Sequence, residues 1–420
     1  MTKKTLSELI KNPSCMDDYD PNAMSVQQAK LFISQFLSPV EATETITIRE
    51  SLGRVLSKDI ISPCNVPNHH NSAMDGFAYK FEDANKPLKI IGTAFAGRPY
   101  ASNIQSGECI KIMTGAVIPA GADTVVMQER TTTIDNMLTI TEIPQKGANI
   151  RLAGEDLSLG QTVLAKGHLM RPADLGLIAS LGQGEVEVYR KLKVAFFSTG
   201  DELVGVGQTL EEGQIYDSNR YTLYGMLTRL GVEVDDLGAI PDQIDLLEST
   251  LVDAASNHDV VITSGGVSVG EADHMKTLLA KHGQVLFWKI NMKPGRPLAY
   301  GKVNNAHYFG LPGNPVATMV AFYQFVRDAL VVLMGSTIRP MPLLSIECSA
   351  PIKKAKGRTE FVRGLLYIDG GIWKVKPTGN QSSGVLSSMS AANCFIVLEE
   401  TVSNCEVGTT VQVQMFEGII

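Results

Sequence analysis

The stretch Thr263-Ser264-Gly265-Gly266-Val267-Ser268-Val269-Gly270-Glu271-Ala272-Asp273 constrains this chain more than any other. It follows the β-branched run Val260-Val261-Ile262 and precedes a helical pattern, Met275-Lys276-Thr277-Leu278-Leu279. A strand that opens through glycines into a helix is how an α/β protein holds an anion. The glycines let backbone amides approach the ligand, and the helix N-terminus faces it with partial positive charge. Glu271 and Asp273 in the same turn do not suit bare phosphate; they suit a hard cation bridging protein and phosphate.

The chain has 420 residues, enough for roughly three domains. Its formal charge of −7 argues against a general binder of nucleic acid or anionic membrane, so an anion site must be a local concentration of Lys and Arg. Met1 to Leu6 shows no apolar signal-peptide core. The apolar stretch from Val316 to Met334 is interrupted by Arg327-Asp328 and reads as too polar for a membrane span. The six cysteines are scattered without a CxxC pair, the expectation for a reduced, cytoplasmic chain with no zinc site. His69-His70 reads as a solvated turn, and neither HExxH nor GxSxG occurs.

The first sixty residues read as helical, with Val26, Ala29, Leu31, Phe32 and Phe36 as a partial stripe. From about 70 to 150, short β runs (89–91, 109–113, 124–127, 138–140) predict a small β domain. A helix is expected near 175–181. From 191, strands near 194–197, 232–237, 259–263, 285–288 and 307–310 alternate with helices, which predicts a doubly wound, mostly parallel sheet. Asp217 is placed to cap one helix, with Gly231 stopping it, and Asn314-Pro315 to open another. The last eighty residues return to short strands at 343–348, 361–366, 373–377, 395–398 and 410–415.

In an open α/β sheet, ligands sit beyond the carboxyl ends of the strands. The loops expected there carry Glu202, Asp242, Asp273, the cations Lys289, Lys293 and Arg296, and Pro312-Gly313-Asn314-Pro315. Carboxylates from three loops and cations from a fourth fit Mg²⁺ with phosphates. Taken singly, Asp242 in Pro241-Asp242-Gln243 is more often a helix N-cap than a metal ligand, and Glu202 reads equally as a first-turn residue answering a helix dipole. The Lys289–Arg296 group also reads as a solvated loop.

Thr263 to Asp273 resembles the signature of the molybdopterin-binding fold, and motifs over nearly the whole chain resemble the molybdopterin molybdenumtransferase family (MoeA and the C-terminal domain of gephyrin). These motifs are Asn71 to Ala78, Met113 to Ala116, Asn149 to Arg151 with Gly154 to Asp156, Ser198 to Leu203, Lys293 to Pro297, Gly310 to Pro315 and Gly357 to Gly364. The resemblance implies an α/β plus β protein: a doubly wound molybdopterin-binding domain at 191–336, flanked by small β domains in an elongated multidomain subunit. Residues 1–60 and 150–190 are expected as a discontinuous linker domain, 61–149 as an inserted β domain and 337–420 as a C-terminal β-barrel-like domain.

By motif position, the family's catalytic residues fall on Asp75, Thr114, Asp156, Glu202, Asp242, Asp273, Lys289 and Lys293. Ligand-binding residues fall on Ser264, Gly265, Gly266, Ser268, Gly270, Arg296, Pro312 and Pro315. Glu202, Asp242 and Asp273 are the candidate metal ligands. Arg296 stands where a Lys is common in the family, and His274 where a Tyr is frequent. The implied activity is insertion of molybdate into adenylylated molybdopterin with Mg²⁺-dependent release of AMP. The implied assembly is a homodimer with its cleft between subunits, and other molybdenum-cofactor biosynthesis proteins are further partners; nucleic acid and membrane are not. A gephyrin-like scaffold, or a nucleotide-hydrolysing protein sharing only the α/β domain, are the alternative readings.

Overall fold

The structure is a computed structural model and describes residues 24–266, 274–338 and 341–416. It separates into two compact units, one formed mainly by residues 45–188 and the other by the preceding residues and 189 onward.

Helix α1 (Val26–Ser34) starts at a capping box in which Ser25 Oγ accepts from Gln28 N–H and Gln28 Oε1 accepts from Ser25 N–H. Among the described residues of the first sixty, the helical expectation holds only here; residues 43–47 and 60–61 are extended. The 1–60 grouping also changes. Phe32 on α1 packs edge-on to Trp288 of the α/β unit, with ring centroids 5.1 Å apart, because the aromatic side of this short helix finds its apolar partner there.

The unit around 45–188 holds a six-stranded sheet. Its strands are β1 (Gly76–Tyr79), β2 (Leu88–Ala94), β3 (Glu108–Ile112), β4 (Thr124–Met127), β5 (Thr131–Ile134) and β6 (Met137–Ile140), in the order β4-β1-β3-β2-β6-β5. Both faces are apolar, one centred on Tyr79, Cys109 and Val126 and the other on Ala78, Ile110 and Val125. Short antiparallel pairs join Ile60–Ile61 to Thr162–Leu164 and Asn71–Ser72 to Ile150–Arg151. Helix α2 (Pro172–Ser180) packs with these, Ile178 fully buried.

The other unit is built on β7 (Lys193–Thr199), α3 (Ser218–Leu230), β8 (Glu233–Ile240), α4 (Ile244–Asn257), β9 (Val260–Ser264), α5 (His274–His282), β10 (Gly283–Lys289), β11 (Met292–Lys293), β12 (Pro297–Val303) and β13 (Ala306–Leu311). Helix α6 (Pro315–Ala321) continues through a π turn at Phe322–Val326 into α7 (Arg327–Leu333). The sheet order is β8-β7-β9-β13-β12-β10. Every strand but β12 runs in the same sense. The reversed strand is absent from the sequence reading.

Along β7, Val194 and Phe196 pack with α3 residues Leu223 and Leu227, while Ala195 and Phe197 pack with α4 residues Leu247 and Leu251. A central strand covered on both faces is apolar at every position, which is why it reads as a continuous run. The 315–333 segment meets the length and composition of a membrane span, yet 72% of it is buried in this core. Its Arg327 pairs with Asp328 at 3.0 Å.

C-terminal strands β14 (Leu343–Cys348), β15 (Thr359–Asp369), β16 (Ile372–Pro377), β17 (Cys394–Leu398) and β18 (Thr410–Met415) pair in the order β15-β16-β14-β18-β17. The additional β15–β17 pairing closes the circuit into a small barrel. Strand β11 joins its rim beside β15, setting Lys293 opposite Glu360.

Candidate functional site

The carboxyl ends of β7, β8, β9, β10 and β13 share one edge of the sheet, and a cavity of about 740 Å³ opens there. It lies at β7 and β9, flanking strands from which the connections leave in opposite directions, where open α/β sheets leave a crevice. Its floor is glycine. Gly265 has φ +93°, and a Cβ there would stand 2.7 Å from the Thr199 carbonyl oxygen. A Cβ on Gly266, φ +65°, would stand 2.8 Å from Met275 Cγ. Both positions therefore require glycine, and the backbone lies open to the cavity.

Buried polar groups tie the floor together. Asn219 Nδ2 donates to Ser264 Oγ and to the Gly313 carbonyl, each at 2.7 Å. Ser264 Oγ and Thr318 Oγ1 both donate to the Pro312 carbonyl, at 3.4 and 2.5 Å. The Asn219 Oδ1 acceptor is buried and has no partner among the described residues, though Asn219 lines the cavity. A buried acceptor left this way calls for a donor from a ligand.

Acid groups occupy one part of the rim. Glu202 and Asp242 line the cavity, and Asp201 Oδ1 accepts the Asp242 N–H at 3.0 Å. Burial, then the negative charges of Asp201 and Glu202, holds the Asp242 carboxyl above its ordinary range, with His274 opposing. The Glu202 carboxylate folds over Gly200, whose Cβ would stand 2.5 Å from Glu202 Oε2. Two single-residue readings fall here. Glu202 lies in a turn before the short strand Leu203–Val204, so it is not a first-turn residue of a helix. The N-cap of α4 is Gln243, which leaves Asp242 free of capping. Asn314 does occupy the N-cap of α6, but its side chain makes no capping bond.

Lys293, Arg296 and Arg358 bring positive charge to the same cavity. Lys293 is held by Glu360 at 3.5 Å, so part of its charge is answered within the protein. Lys289 ends β10 and Pro315 opens α6, and neither is among the described residues lining the cavity. Asp273, Ser268 and Gly270 lie outside the described residues, and among the described residues no cluster of three His, Cys, Asp or Glu forms a ready metal cage.

Asp75, Thr114 and Asp156 belong to the 45–188 unit. Asp75 Oδ1 accepts from Thr114 N–H at 2.7 Å and Thr114 Oγ1 at 2.8 Å. These two bonds hold its carboxyl below the ordinary range. Gly76 follows because a Cβ there would overlap the Val126 carbonyl oxygen, 1.9 Å away. Asp156 is exposed and donates its N–H to Val66 O, beside the Val66–Leu157 bridge. His70 accepts from Ala153 N–H at 3.0 Å and serves this loop pairing.

Sequence reasoning missed the barrel's contribution to the cavity: Arg358, Gln381, Ser382 and Ser383 all line it. The signal was the polar run Thr378-Gly379-Asn380-Gln381-Ser382-Ser383, too rich in hydrogen-bonding side chains for a bare connection between two strands. Asn219 was hidden in a segment read only as a helix cap.

Three known family regions match the chain in order. Residues 24–182 match the MoeA N-terminal region (domain I and II), 195–331 a probable molybdopterin binding domain, and 345–416 the MoeA C-terminal region (domain IV). A molybdopterin molybdenumtransferase of Haemophilus influenzae is 44% identical over 94% of this chain and 100% of its own. One from Nostoc sp. is 33% identical over 95% of each chain. The crystal structure of a molybdopterin biosynthesis MoeA protein from Pyrococcus horikoshii superposes with TM-score 0.82 at 29% identity, over 94% of this chain and 100% of that one.

Proposed function

Because this chain belongs to the molybdopterin molybdenumtransferase family, we propose that it inserts molybdate into adenylylated molybdopterin and releases AMP with Mg²⁺ assistance. It is an enzyme of molybdenum-cofactor biosynthesis. The observation carrying the finer reading is the division of one cavity rim into acid and base: Glu202 and Asp242 on one set of loops, Lys293, Arg296 and Arg358 on another, over a glycine floor.

Cutting a phosphoanhydride while seating a second dianion concentrates negative charge, and fixed cations offset it without reorganisation. Lys293, Arg296 and Arg358 supply them. Gly265 and Gly266 let the phosphate-bearing ligand approach the backbone, and the orphaned Asn219 Oδ1 takes a donor from it. The acid side fits a hard cation, because Asp242 stands among like charges that a dication relieves. Glu202 and Asp242, with Asp273 by the family resemblance, would hold Mg²⁺, which when bound polarises a phosphoryl oxygen.

The reading includes a cytoplasmic homodimer, with Asp75, Thr114 and Asp156 acting in a cleft shared between subunits. Lys289 is assigned to the oxyanion by the same resemblance. Purified protein incubated with adenylylated molybdopterin, molybdate and Mg²⁺ is expected to release AMP in step with molybdenum-cofactor formation. AMP release indifferent to both molybdate and Mg²⁺, or none at all, refutes the assignment. Light scattering of the same sample should report about twice 45.4 kDa; an active monomer removes the shared cleft.

A further inference from the structure

A second cavity, of about 680 Å³, lies between α1 and the C-terminal barrel, within one compact unit. Leu31 of α1 lines one wall, and Ile338 with Leu343 of β14 lines another; they are 52%, 38% and 48% exposed. Phe361 of β15 and Val397 of β17 add a buried apolar base. Apolar residues left open around one groove, rather than scattered singly, mark a surface that something covers. Its polar groups divide by charge. Lys30 Nζ donates to Gln324 Oε1 at 3.2 Å, and Gln324 Nε2 to Gln414 Oε1 at 3.0 Å. Asp328 stands 3.7 Å from Lys30 and 3.0 Å from Arg327, so one carboxylate answers two cations and the α1 wall keeps an excess of positive charge. Burial lowers the Lys30 pKa against the pull of Asp328. On the barrel wall, Glu399 and Glu400 form an acidic lip just past β17.

The part of the chain that enters the molecule here is the segment before α1. Met24 is fixed by a parallel bridge to Ile290, and Ser25 and Val26 after it line the groove. Residues 1–23, which lie outside the described residues, therefore join the molecule at the mouth of the groove. The match to the family's N-terminal region begins only at residue 24, so this segment is not part of the shared region. It spans about 35 Å as a helix and about 75 Å extended, enough to follow the groove and turn back. In sequence it carries Leu6, Leu9 and Ile10 at the i, i+3, i+4 spacing of one apolar stripe. Its charge is polarised: Lys3, Lys4 and Lys11 against Glu8 around the stripe, then Asp17, Asp18 and Asp20 without a cation near Met24. The acids thus lie closest in the chain to Lys30, and the lysines have the sign that the Glu399–Glu400 lip attracts.

We propose that residues 1–23 dock into this groove of their own chain: Leu6, Leu9 and Ile10 cover Leu31, Ile338 and Leu343, the Asp17–Asp20 run meets Lys30, and Lys3 and Lys4 reach the Glu399–Glu400 lip. Attachment in the same chain supplies an effective concentration of about millimolar, so a contact too weak to hold a free peptide still keeps the segment seated. The docked segment clasps α1, whose Phe32 already engages Trp288 of the α/β core, to the barrel as well. This interaction is independent of the activity proposed above.

The test is hydrogen exchange read by mass spectrometry on the full-length protein. Amides of residues 5–12 are expected to exchange at least about tenfold more slowly in the wild type than in the triple variant Leu6→Asp, Leu9→Asp, Ile10→Asp. Amides of 26–34 should also exchange faster in that variant, because α1 loses its cover. Reversing the lip with Glu399→Lys and Glu400→Lys should speed exchange at 5–12 about threefold at low salt, with the difference fading at high salt. Should the triple variant fail to fold, the lip variant decides by the same readout. Exchange at 5–12 as fast in the wild type as in the triple variant overturns the proposal and leaves the groove to a separate partner. Protection of 5–12 that grows with protein concentration places the segment on a second copy and overturns docking within one chain. Protection that survives both the triple and the lip substitutions puts the segment elsewhere and overturns it equally.

Discussion

Asp75 and Asp242 lie in two different units of the chain and are driven in opposite directions. Asp75 is exposed, yet the N–H and hydroxyl of Thr114 complete its anionic form and keep its pKa low. Asp242 lies at a cavity rim beside Asp201 and Glu202, and burial with like charge keeps its pKa high. The first is a finished anion, held in shape by its own loop. The second is an unfinished one, and what finishes it must bring positive charge. A carboxylate's surroundings, rather than its identity, divide a residue that orients from a residue that recruits a cation.

The largest expected effect separates them by rate. Asp242→Asn or Glu202→Gln should cut AMP release by about two to three orders of magnitude if they hold a Lewis-acid metal. Asp75→Asn, which keeps shape and one acceptor oxygen, should cost about tenfold. A ranking the other way round, measured at saturating substrates, would break the contrast. Next in size is the response to metal. Saturating Mg²⁺ should raise the Tm of the wild type and of Asp75→Asn by several degrees, the linkage expected for a ligand bound only by the folded state. Asp242→Asn should show little shift in scanning calorimetry. An equal shift in all three proteins would place the ion elsewhere.

The smallest effect is in the pH dependence of stability in metal-free buffer, and its signs are opposite. Asp75, with a lowered folded pKa, stabilises above about pH 4, the unfolded aspartate value, and loses that contribution as pH falls through the folded value. Asp75→Asn should therefore be less stable than wild type at neutral pH, with the gap closing in acid. Asp242, with a raised folded pKa, contributes stability below about pH 4 and loses it as pH rises through the folded value. Asp242→Asn should match wild type in acid and exceed it at pH 7. Chemical denaturation at pH 3 and pH 7 reads both, and differences of the same sign would show that the two carboxylates are not opposed.

Legibility in the sequence followed locality. The strand at 260–264, the glycine turn after it, the Asp217 cap and Gly231 stop of α3, and strands 343–348 and 410–415 were all readable, because each is specified by residues within a few positions. The reversed strand β12 was not. It opens with Pro297 and carries Gly301, and its reason for being extended is its pairing with β10 and β13. The helix overrun past residue 34 has the same origin, since 43–47 and 60–61 take their conformation from strand partners distant in the chain.

What the sequence determined by itself is the list of groups: glycines where a Cβ would strike Thr199 or Met275, carboxylates and cations at the carboxyl ends of strands, and the motifs that carry the family. Only the tertiary structure decided which of them share a cavity. It brought Arg358 and the 378–383 loop of the barrel to the rim, hung Lys293 on Glu360, and left Lys289 off the wall. The physical reason is that a strand or turn answers to its neighbours in sequence, whereas charge, burial and an unmet hydrogen bond answer to neighbours in space.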